Sequence, residues 1–295
     1  MMAALVCAAV TSLPPGPLDF KAESMRMEPK EHRVHLDGDV HIWRGDLTVT
    51  GDHAVADVAE RPAAPTPAKK GKKASVAGQG LEKFVVDGKV HVQRGTRTAD
   101  GEHGELDVRA QTLVLTGTEA APPVLRDGTE TLVGEQILLH LDSEDVEVLR
   151  PRITLKRSLP DEKKGQTVRV EAQRLSLDKS AKLARFVDGV VVRRGDATVR
   201  SPRMDARYDD QGELTRLELR GGVDLRQGDR RATGRSADYD AQGKSLVLTG
   251  DPRLYDRGDV LSGDRIDLAL DSHEVKVAHV RARLHPEAHK DEAAP

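Results

Sequence analysis

The chain has 295 residues, enough to bury a core without disulfides or a structural metal and to form one to three domains. Charged residues make up 32% of it, but its formal net charge of -3 lacks the basic excess of a general nucleic-acid-binding protein. Aromatic residues make up only 2%, which disfavours the stacking surfaces of sugar-binding clefts and single-stranded nucleic-acid grooves. We therefore expect no nucleic-acid partner.

The chain begins with an apolar run, Met1 to Val10, that contains its only cysteine, Cys7. The run is too short to span a bilayer, and it ends in Thr11-Ser12-Leu13-Pro14-Pro15-Gly16. This is typical of the h-region and cleavage zone of a signal peptide without its basic n-region. We therefore predict a truncated signal peptide at 1–18 and export to the periplasm. A lipoprotein cysteine is disfavoured because Val6 is not small, and a disordered apolar start is the plain alternative.

Apolar residues then recur with a period of two, which predicts half-buried strands. Examples are Val34-His35-Leu36, Val40-His41-Ile42, Val90-His91-Val92, Val223-Asp224-Leu225 and Leu246-Val247-Leu248. Glycine-containing turn signals separate them about every 8 to 12 residues, as in antiparallel hairpins. These signals are Asp37-Gly38, Asp87-Gly88, Asp188-Gly189, Gly221-Gly222 and Gln242-Gly243. The pattern predicts an all-β fold of short antiparallel strands.

The sequence predicts a hairpin at Asp37-Gly38, which determines the residues that pair across its two strands. A three-residue turn pairs Leu36 with Val40 on the buried face and leaves His35 opposite His41 outside. Later in the chain a two-residue turn at Asp188-Gly189 keeps the apolar residues before and after it paired in the same way.

The two halves of the chain resemble each other, which indicates a tandem repeat. Asp37-Gly38 aligns with Asp188-Gly189 at an offset of 151 residues. Leu113-Val114-Leu115-Thr116-Gly117 is identical to Leu246-Val247-Leu248-Thr249-Gly250 at an offset of 133. The drop in offset places an insertion in the first copy, where residues 60–78 are rich in Pro, Ala and Lys and are expected to be a disordered loop. We predict domains at 20–157 and 167–284 and a disordered tail at 285–295.

Motifs that could carry chemistry each have a simpler explanation. His32, His35, His41 and His53 are close in sequence, but solvent-facing histidines are favoured over a zinc or copper site. Arg-Gly-Asp at 44–46, 194–196 and 257–259 is explained by a turn glycine with ordinary exposed flanks. The carboxylates of Asp142, Glu144 and Asp145 are expected at a solvated turn rather than in a glycosidase pair. We find no hydrolase, zinc-protease or nucleotide-binding motif, and we predict no catalytic residue, no metal and no cofactor.

The aliphatic face of the strands is the remaining functional candidate. Sheets that curl over this face enclose a hydrocarbon-lined interior, which suits acyl chains because burial of each methylene contributes about 0.8 kcal/mol. The same residues can equally fill a closed core. The residues alone leave these two alternatives open.

Short motifs in both copies are similar to the OstA-like repeat. In the first copy these are Leu36-Asp37-Gly38-Asp39-Val40 with Ile42, followed by the segment from Arg44 to Ala54. In the second copy they are the segments 201–208, 234–240 and 263–268. The sequence thus resembles the LptA/OstA-like family of periplasmic lipopolysaccharide-transport proteins over most of 20–284.

The resemblance implies two tandem twisted β-jellyroll domains that shield the acyl chains of lipid A. It implies as partners lipopolysaccharide, the periplasmic subunit of an inner-membrane ABC exporter and an outer-membrane β-barrel assembly protein, together with end-to-end self-association. It also assigns the apolar interior as the lipid-binding surface, formed by Val34, Leu36, Val40, Ile42, Val90, Val92, Leu113, Leu115, Ile137, Leu139, Val190, Val192, Val223, Leu225, Leu246, Leu248, Ile266 and Leu268.

The tandem copy and the basic insertion depart from the family pattern and leave the position in the transport pathway open. One alternative is the membrane-anchored periplasmic subunit of the exporter, which needs a transmembrane helix before Met1. The other alternative is a structural or surface β-repeat protein that binds no lipid. A polysaccharide lyase built on repeated strands is a more distant one.

Overall fold

The computed structural model describes residues 18–58, 81–128, 130–157, 166–269 and 274–284. Every regular element in these ranges is a β-strand, and the strand pairings inside each of the two units are antiparallel. The predicted all-β class is confirmed. None of the described residues belongs to a helix long and apolar enough to cross a membrane.

The chain divides into two compact units, residues 9–149 and 150–295. The described part of the N-terminal unit has eleven strands, namely β1 (Asp19–Lys21), β2 (Ser24–Glu28), β3 (Arg33–Arg44), β4 (Leu47–Val58), β5 (Leu81–Arg94), β6 (Arg97–Asp107), β7 (Thr112–Thr116), β8 (Val124–Asp127), β9 (Glu130–Val133), β10 (Gln136–His140) and β11 (Val146–Leu149).

The described part of the C-terminal unit has thirteen strands. They are β12 (Arg152–Arg157), β13 (Gln166–Glu171), β14 (Arg174–Asp178), β15 (Leu183–Arg194), β16 (Ala197–Tyr208), β17 (Leu214–Gln227), β18 (Arg230–Asp240), β19 (Ser245–Thr249), β20 (Arg253–Asp256), β21 (Asp259–Ser262), β22 (Arg265–Ala269), β23 (Val275–Ala278) and β24 (Arg281–Arg283).

The predicted domain limits, 20–157 and 167–284, stay predictions. Of the predicted signal peptide only Leu18 is described, and the insertion 60–78 and the tail 285–295 lie outside the described residues.

Each long strand of the N-terminal unit, β3 to β6, takes part in two sheets. In β3, residues 33–37 pair with β2 on one side, whereas residues 41–43 pair with β1. In β6, residues 103–107 pair with β7, whereas residues 98–100 pair with β8. The strands therefore divide near their middles, and each half belongs to a different sheet.

We call these sheets A and B. Sheet A contains β2, one half of each of β3 to β6, and then β7, β10 and β11. Sheet B contains β1, the other half of each of β3 to β6, and then β8 and β9. The C-terminal unit repeats the arrangement with β15 to β18 as its long strands. Sheet C contains β14, β19, β22 and β23, and sheet D contains β12, β13, β20, β21 and β24.

The predicted hairpin at Asp37-Gly38 is wrong. β3 continues through these residues, Leu36 pairs with Ala54, and Val40 pairs with Gly51. Two residues of β3, Gly38 and Asp39, stand opposite Asp52 alone, which is the arrangement of a β-bulge. His35 and His41 accordingly lie opposite Val55 and Thr50 and not opposite each other.

Three other predicted glycine-containing turns are also β-bulges inside strands. Shifts of register occur at Gly88 in β5, at Asp188-Gly189 in β15 and at Gly221-Gly222 in β17. Asp-Gly and Gly-Gly favour both turns and bulges because both need positive φ, and here Gly38 and Gly88 have φ of +77° and +80°. The Gln242-Gly243 signal does lie between two strands, β18 and β19.

Arginine precedes glycine at three of the hairpins that join long strands in the described ranges, namely β3–β4, β5–β6 and β15–β16. Gly45 follows the last residue of β3 with φ of +62°, and Gly195 follows the last residue of β15 with φ of +56°. The interpretation of the Arg-Gly-Asp glycines as turn residues is therefore confirmed.

The core of each unit lies between its two sheets. In sheet A, directly paired residues Leu36, Ala54, Val86, Gly104, Leu115 and Ile137 form one row across the inner face. In sheet B the corresponding row is Ile42, Val49, Val92, Ala99, Leu125 and Leu132. The close approach of the sheets is visible at Gly104, where a Cβ would lie 3.1 Å from Cγ1 of Val90 in sheet B.

Leu36 and Met25 provide a matched test of this core, because they are direct cross-strand partners with 1% and 53% exposure. We expect Leu36→Ala to lower the free energy of unfolding by about 2 to 5 kcal/mol and Met25→Ala by less than about 1 kcal/mol. Urea denaturation of the full chain measures both. Equal losses for the two variants would contradict this placement of the core.

Candidate functional site

The predicted lipid-binding residues all lie on the inner faces of the four sheets. Fourteen of the eighteen are buried, with between 0% and 6% exposure. The other four are half-buried, namely Leu139, Val192, Leu225 and Leu268. The structure therefore gathers these residues into two apolar interiors, one in each unit. Their role in binding lipid remains a prediction.

The interior of the C-terminal unit is more accessible to water than that of the N-terminal unit. Val192 and Leu225 in sheet D are half-buried, whereas Ile42 and Val92, at the corresponding positions of sheet B, are 2% and 4% exposed. These four residues occupy equivalent positions in the inner rows of the two copies, so their exposure can be compared directly. Less neighbouring protein therefore has to be displaced to reach the inner side chains of the C-terminal unit.

The apolar inner face of sheet A continues onto exposed residues at its first strand. Met25 and Met27 in β2 pair with Leu36 and Val34, so they extend the inner rows, yet they are 53% and 49% exposed. Sheet C similarly ends in Val275, which pairs with Leu268 and is 40% exposed. Exposed apolar side chains of this size, continuous with a core, commonly mark an interaction surface.

A charged cluster lies where the strand ends of sheet B meet the loop that follows β10 of sheet A. Nη1 of Arg94 donates to the carbonyl oxygen of Leu141 at 3.1 Å. Nε of Arg97 donates to Oδ2 of Asp127 at 2.7 Å, and its Nη1 lies 3.5 Å from Oε2 of Glu144. We call Arg94, Arg97, Asp127 and Glu144 the mouth cluster, because it joins the two sheets at the open ends of their strands.

The mouth cluster is largely shielded from water. The side chains of Arg97, Asp127 and Glu144 are 20%, 9% and 5% exposed, and that of Arg94 is 12% exposed. Charges this deep are stable only when paired, so Asp127 and Glu144 depend on Arg97, whereas Nε of Arg94 lies 3.6 Å from Oδ2 of Asp46. The prediction that Glu144 lies at a solvated turn is wrong, because its carboxylate is inserted against Arg97.

The mouth cluster has no counterpart among the sequence predictions. The prediction that Arg44 and Arg194 are ordinary exposed flanks of Arg-Gly-Asp is wrong, because both are half-buried at the ends of β3 and β15. Arg94 occupies the same position before Gly95 at the end of β5. The recurrence of Arg-Gly at the ends of long strands is the signal that could have identified these inward-facing arginines.

The C-terminal unit has an exposed counterpart of one of these ion pairs. Nε of Arg230 donates to Oδ2 of Asp256 at 2.9 Å, in the position of Arg97 and Asp127, but the two side chains are 57% and 32% exposed. They border a small polar depression with Gln227, Asp229 and Arg257. Residues 270–273, which align with the loop that carries Glu144, lie outside the described residues.

The two copies permit a matched test of the mouth cluster. Because Arg97→Met removes a guanidinium that contacts two buried carboxylates, we expect it to lower the free energy of unfolding by about 3 to 5 kcal/mol. Arg230→Met removes an exposed pair, and we expect a loss of less than about 1 kcal/mol. Chemical denaturation measures both. A loss no larger for Arg97→Met than for Arg230→Met would contradict the structural role of the cluster.

Histidines of the N-terminal unit pair singly with carboxylates on the outer faces. Nε2 of His41 lies 3.0 Å from Asp39, Nδ1 of His53 lies 2.9 Å from Asp37, and Nδ1 of His91 lies 2.7 Å from Asp100. No set of three or more potential metal ligands comes together among the described residues. His32, His35, His41 and His53 therefore form no shared ligand set in this part of the chain.

His103 has the most strongly coupled imidazole of this group. Its Nδ1 lies 2.6 Å from Oδ1 of Asp87, and its Nε2 lies 3.4 Å from Oε1 of Glu105. The hydrogen bond to Asp87 raises the pKa of His103 above its usual 6.5, against a smaller opposing effect of burial. The protonated form is thus favoured in the folded protein.

This shift predicts a pH dependence of stability. The contribution of the His103–Asp87 pair is complete below about pH 6.5 and is lost as pH rises through the higher pKa of the folded state. We expect the loss to be smaller than about 1 kcal/mol because the pair is partly exposed and is screened by salt. Unfolding free energies of the wild type and of Asp87→Asn between about pH 6 and 9 measure it. His103→Gln is the control and should show the same reduced slope, whereas an unchanged slope in both variants would contradict the assignment.

Comparison with known proteins supplies a family. A family model described as LptA/(LptD N-terminal domain) LPS transport protein matches residues 19–145 and 169–274. Among solved structures, the chain is similar to LptH of Pseudomonas aeruginosa, described as the LptA homologous periplasmic component of the conserved lipopolysaccharide transport device. The identity is 17%, the TM-score is 0.38, and the match covers 40% of this chain and 95% of that one. A search among curated proteins finds no match.

Proposed function

The chain belongs to the LptA and LptD N-terminal-domain family of lipopolysaccharide transport proteins, and from this premise we propose that its two apolar interiors shield the acyl chains of lipid A. Members of this family are transport proteins, so the chain has a role in lipopolysaccharide transport and is not an enzyme. What we propose beyond the family role is the location of the binding site and the part of the lipid that it binds.

The unbroken aliphatic rows across the sheets carry this proposal. The row that starts at Met25 continues through Leu36, Ala54 and Val86 and onward across sheet A without a charged side chain. Its members are small or branched aliphatic residues, which leave a smooth surface for flexible hydrocarbon. Burial of each methylene contributes about 0.8 kcal/mol, so partial insertion of a few acyl chains is sufficient for binding.

Lipid must compete with the contacts that already shield this interior. Leu36, Val40 and Ile137 are between 0% and 1% exposed, so acyl chains reach them only if the two sheets separate. In the N-terminal unit the mouth cluster resists that separation, because opening the sheets breaks the contact between Arg97 of sheet B and Glu144 of the loop after β10. Val192 and Leu225 of the C-terminal unit need a smaller movement, and we propose that this interior binds lipid more readily.

The location and the partners are also proposals. The similarity to LptH, whose description names a periplasmic component, supports a periplasmic location for this chain. We propose that the protein passes lipopolysaccharide from the periplasmic subunit of the inner-membrane ABC exporter toward the outer-membrane β-barrel assembly protein. Exposed Met25, Met27 and Val275 at the outermost strands of their sheets support association through strand edges, including end-to-end self-association.

Photo-crosslinking tests the proposed site. A photo-reactive amino acid replaces Ile42, Val92 or Leu225, one at a time, and the exported full chain is irradiated in cells that make lipopolysaccharide. We expect adducts from all three positions and the largest yield at half-buried Leu225. The matched controls are His41 and Gln93, which directly adjoin Ile42 and Val92 in their strands but face outward.

The outcomes separate the two classes of function. Adducts at the interior positions and not at His41 or Gln93 support shielding of the acyl chains. Lipopolysaccharide adducts from none of the interior positions, in variants that retain cooperative unfolding, would falsify the proposal and favour a structural β-repeat protein. Equal adducts from inner and outer positions would place the lipid on the surface and contradict the proposed site.

A further inference from the structure

The outer face of sheet D is rich in arginine. Nine arginines lie on this face, and all nine are exposed, namely Arg152, Arg169, Arg193, Arg200, Arg226, Arg231, Arg253, Arg281 and Arg283. Among the residues that the structure describes, two carboxylates, those of Glu171 and Asp224, share the face with them. We call this surface the arginine face.

Strand register places these arginines in two continuous rows. One row passes through the directly paired residues Arg169, Arg193, Thr198, Arg226, Arg231, Tyr255, Val260 and Arg283. Two of its neighbouring pairs, Arg169 with Arg193 and Arg226 with Arg231, set like charges directly opposite each other. Like charges directly opposite each other destabilise a sheet, so their accumulation on one face has a cost in folding.

The few carboxylates on the face are already engaged. Asp224 accepts hydrogen bonds from both Arg226 and Arg231, at 3.1 Å and 2.8 Å, and Glu171 lies 3.0 Å from Arg193. Within the described ranges, the other six arginines of the face have no ion-pair partner. Their guanidinium groups remain available to external anions.

The other faces provide internal comparisons. The equivalent outer face of sheet B carries threonines at 48, 50, 98 and 131. Apart from histidines, its described basic residues are Lys21 and Arg126, against Asp19 and Asp100. On the outer face of sheet C, arginines are matched by carboxylates, as in Arg220 with Asp238 at 2.8 Å and Arg185 with Asp205 at 3.5 Å. The excess of positive charge is therefore confined to one face of the C-terminal unit.

We propose that the arginine face binds the anionic surface of a phospholipid bilayer through the phosphate groups of the lipids. Guanidinium groups bind phosphate oxygens with two parallel hydrogen bonds, and each basic side chain near an anionic membrane contributes about 1 kcal/mol. Nine strands spaced about 4.8 Å apart give the face a width of roughly 40 Å, enough to contact several headgroups at once.

The composition of the face favours a membrane over a macromolecular partner. Protein interfaces are usually anchored by buried aromatic or large aliphatic residues, but Tyr255, Val191 and Val260 are the main apolar side chains here. Single-stranded nucleic acid requires several stacking aromatics, and Tyr255 alone does not provide them. A broad array of one charge sign and little apolar content is suited to a charged plane.

This surface acts separately from the interior. Its arginines point away from the inner row, in which their strand neighbours Ala232 and Val170 are 1% and 6% exposed and Leu225 is half-buried. Contact with a bilayer through this face leaves the interior free and orients sheet D parallel to the membrane. The inference therefore stands or falls independently of acyl-chain shielding.

Vesicle co-sedimentation of the full chain tests the proposal. The probes are vesicles of phosphatidylglycerol with phosphatidylethanolamine and vesicles of phosphatidylcholine alone. The face variant combines Arg169→Gln, Arg200→Gln and Arg253→Gln. The control variant combines Arg185→Gln, Arg207→Gln and Arg265→Gln, which removes the same charge from exposed positions of sheet C.

We expect the wild type and the control variant to bind the anionic vesicles at low salt and not to bind phosphatidylcholine. The face variant should bind on the order of 100-fold more weakly. Equal binding by both variants, or equal weakening in both, would overturn the proposal. Membrane binding would then depend on the net charge of the protein and not on the arginine face. Binding to soluble polyphosphate without binding to the vesicles would overturn it in favour of a general anion site. Thermal unfolding of both variants verifies that they are folded.

Discussion

The β-bulge in the middle of every other long strand, namely β3, β5, β15 and β17, is the constraint on which the rest of the structure depends. Two residues on β3 opposite one on β4 interrupt the ladder, and the same arrangement recurs between β5 and β6. Because the chain can redirect there, one strand contributes apolar residues to two sheets that enclose them from both sides. The strand ends of one sheet then meet loops of the other, and this meeting creates the mouth cluster.

Alternation in the sequence was sufficient to identify the residues of the interior, but not the path of the backbone between them. Leu36 and Val40 are both inner residues, as predicted, although they are successive members of one strand and not hairpin partners. Asp-Gly supplies positive φ equally well to a turn and to a bulge, so local chemistry cannot distinguish them. Only the partners Ala54 and Gly51, one on each side of the bulge, decide between the two.

The mouth cluster could not be predicted for a different reason. Glu144 lies 47 residues beyond Arg97, and its carboxylate occupies a turn sequence that reads as solvated. Its burial depends on how the loop after β10 reaches sheet B, which is a consequence of tertiary packing and has no periodic signal. The second copy supports this view, because Arg230 and Asp256 retain the ion pair while both side chains remain substantially exposed.

The two copies have kept the interior and changed what surrounds it. The inner rows remain aliphatic in both units, whereas the outer face of one sheet carries threonine and histidine in the first copy and arginine in the second. A half-buried interior and an unbalanced arginine face thus occur in the same unit. The N-terminal unit combines a tightly shielded interior with a nearly neutral outer face. The proposed lipid interior and the proposed membrane-binding face therefore both make their strongest demands on the C-terminal unit, which is the copy in which tests of either proposal are most decisive.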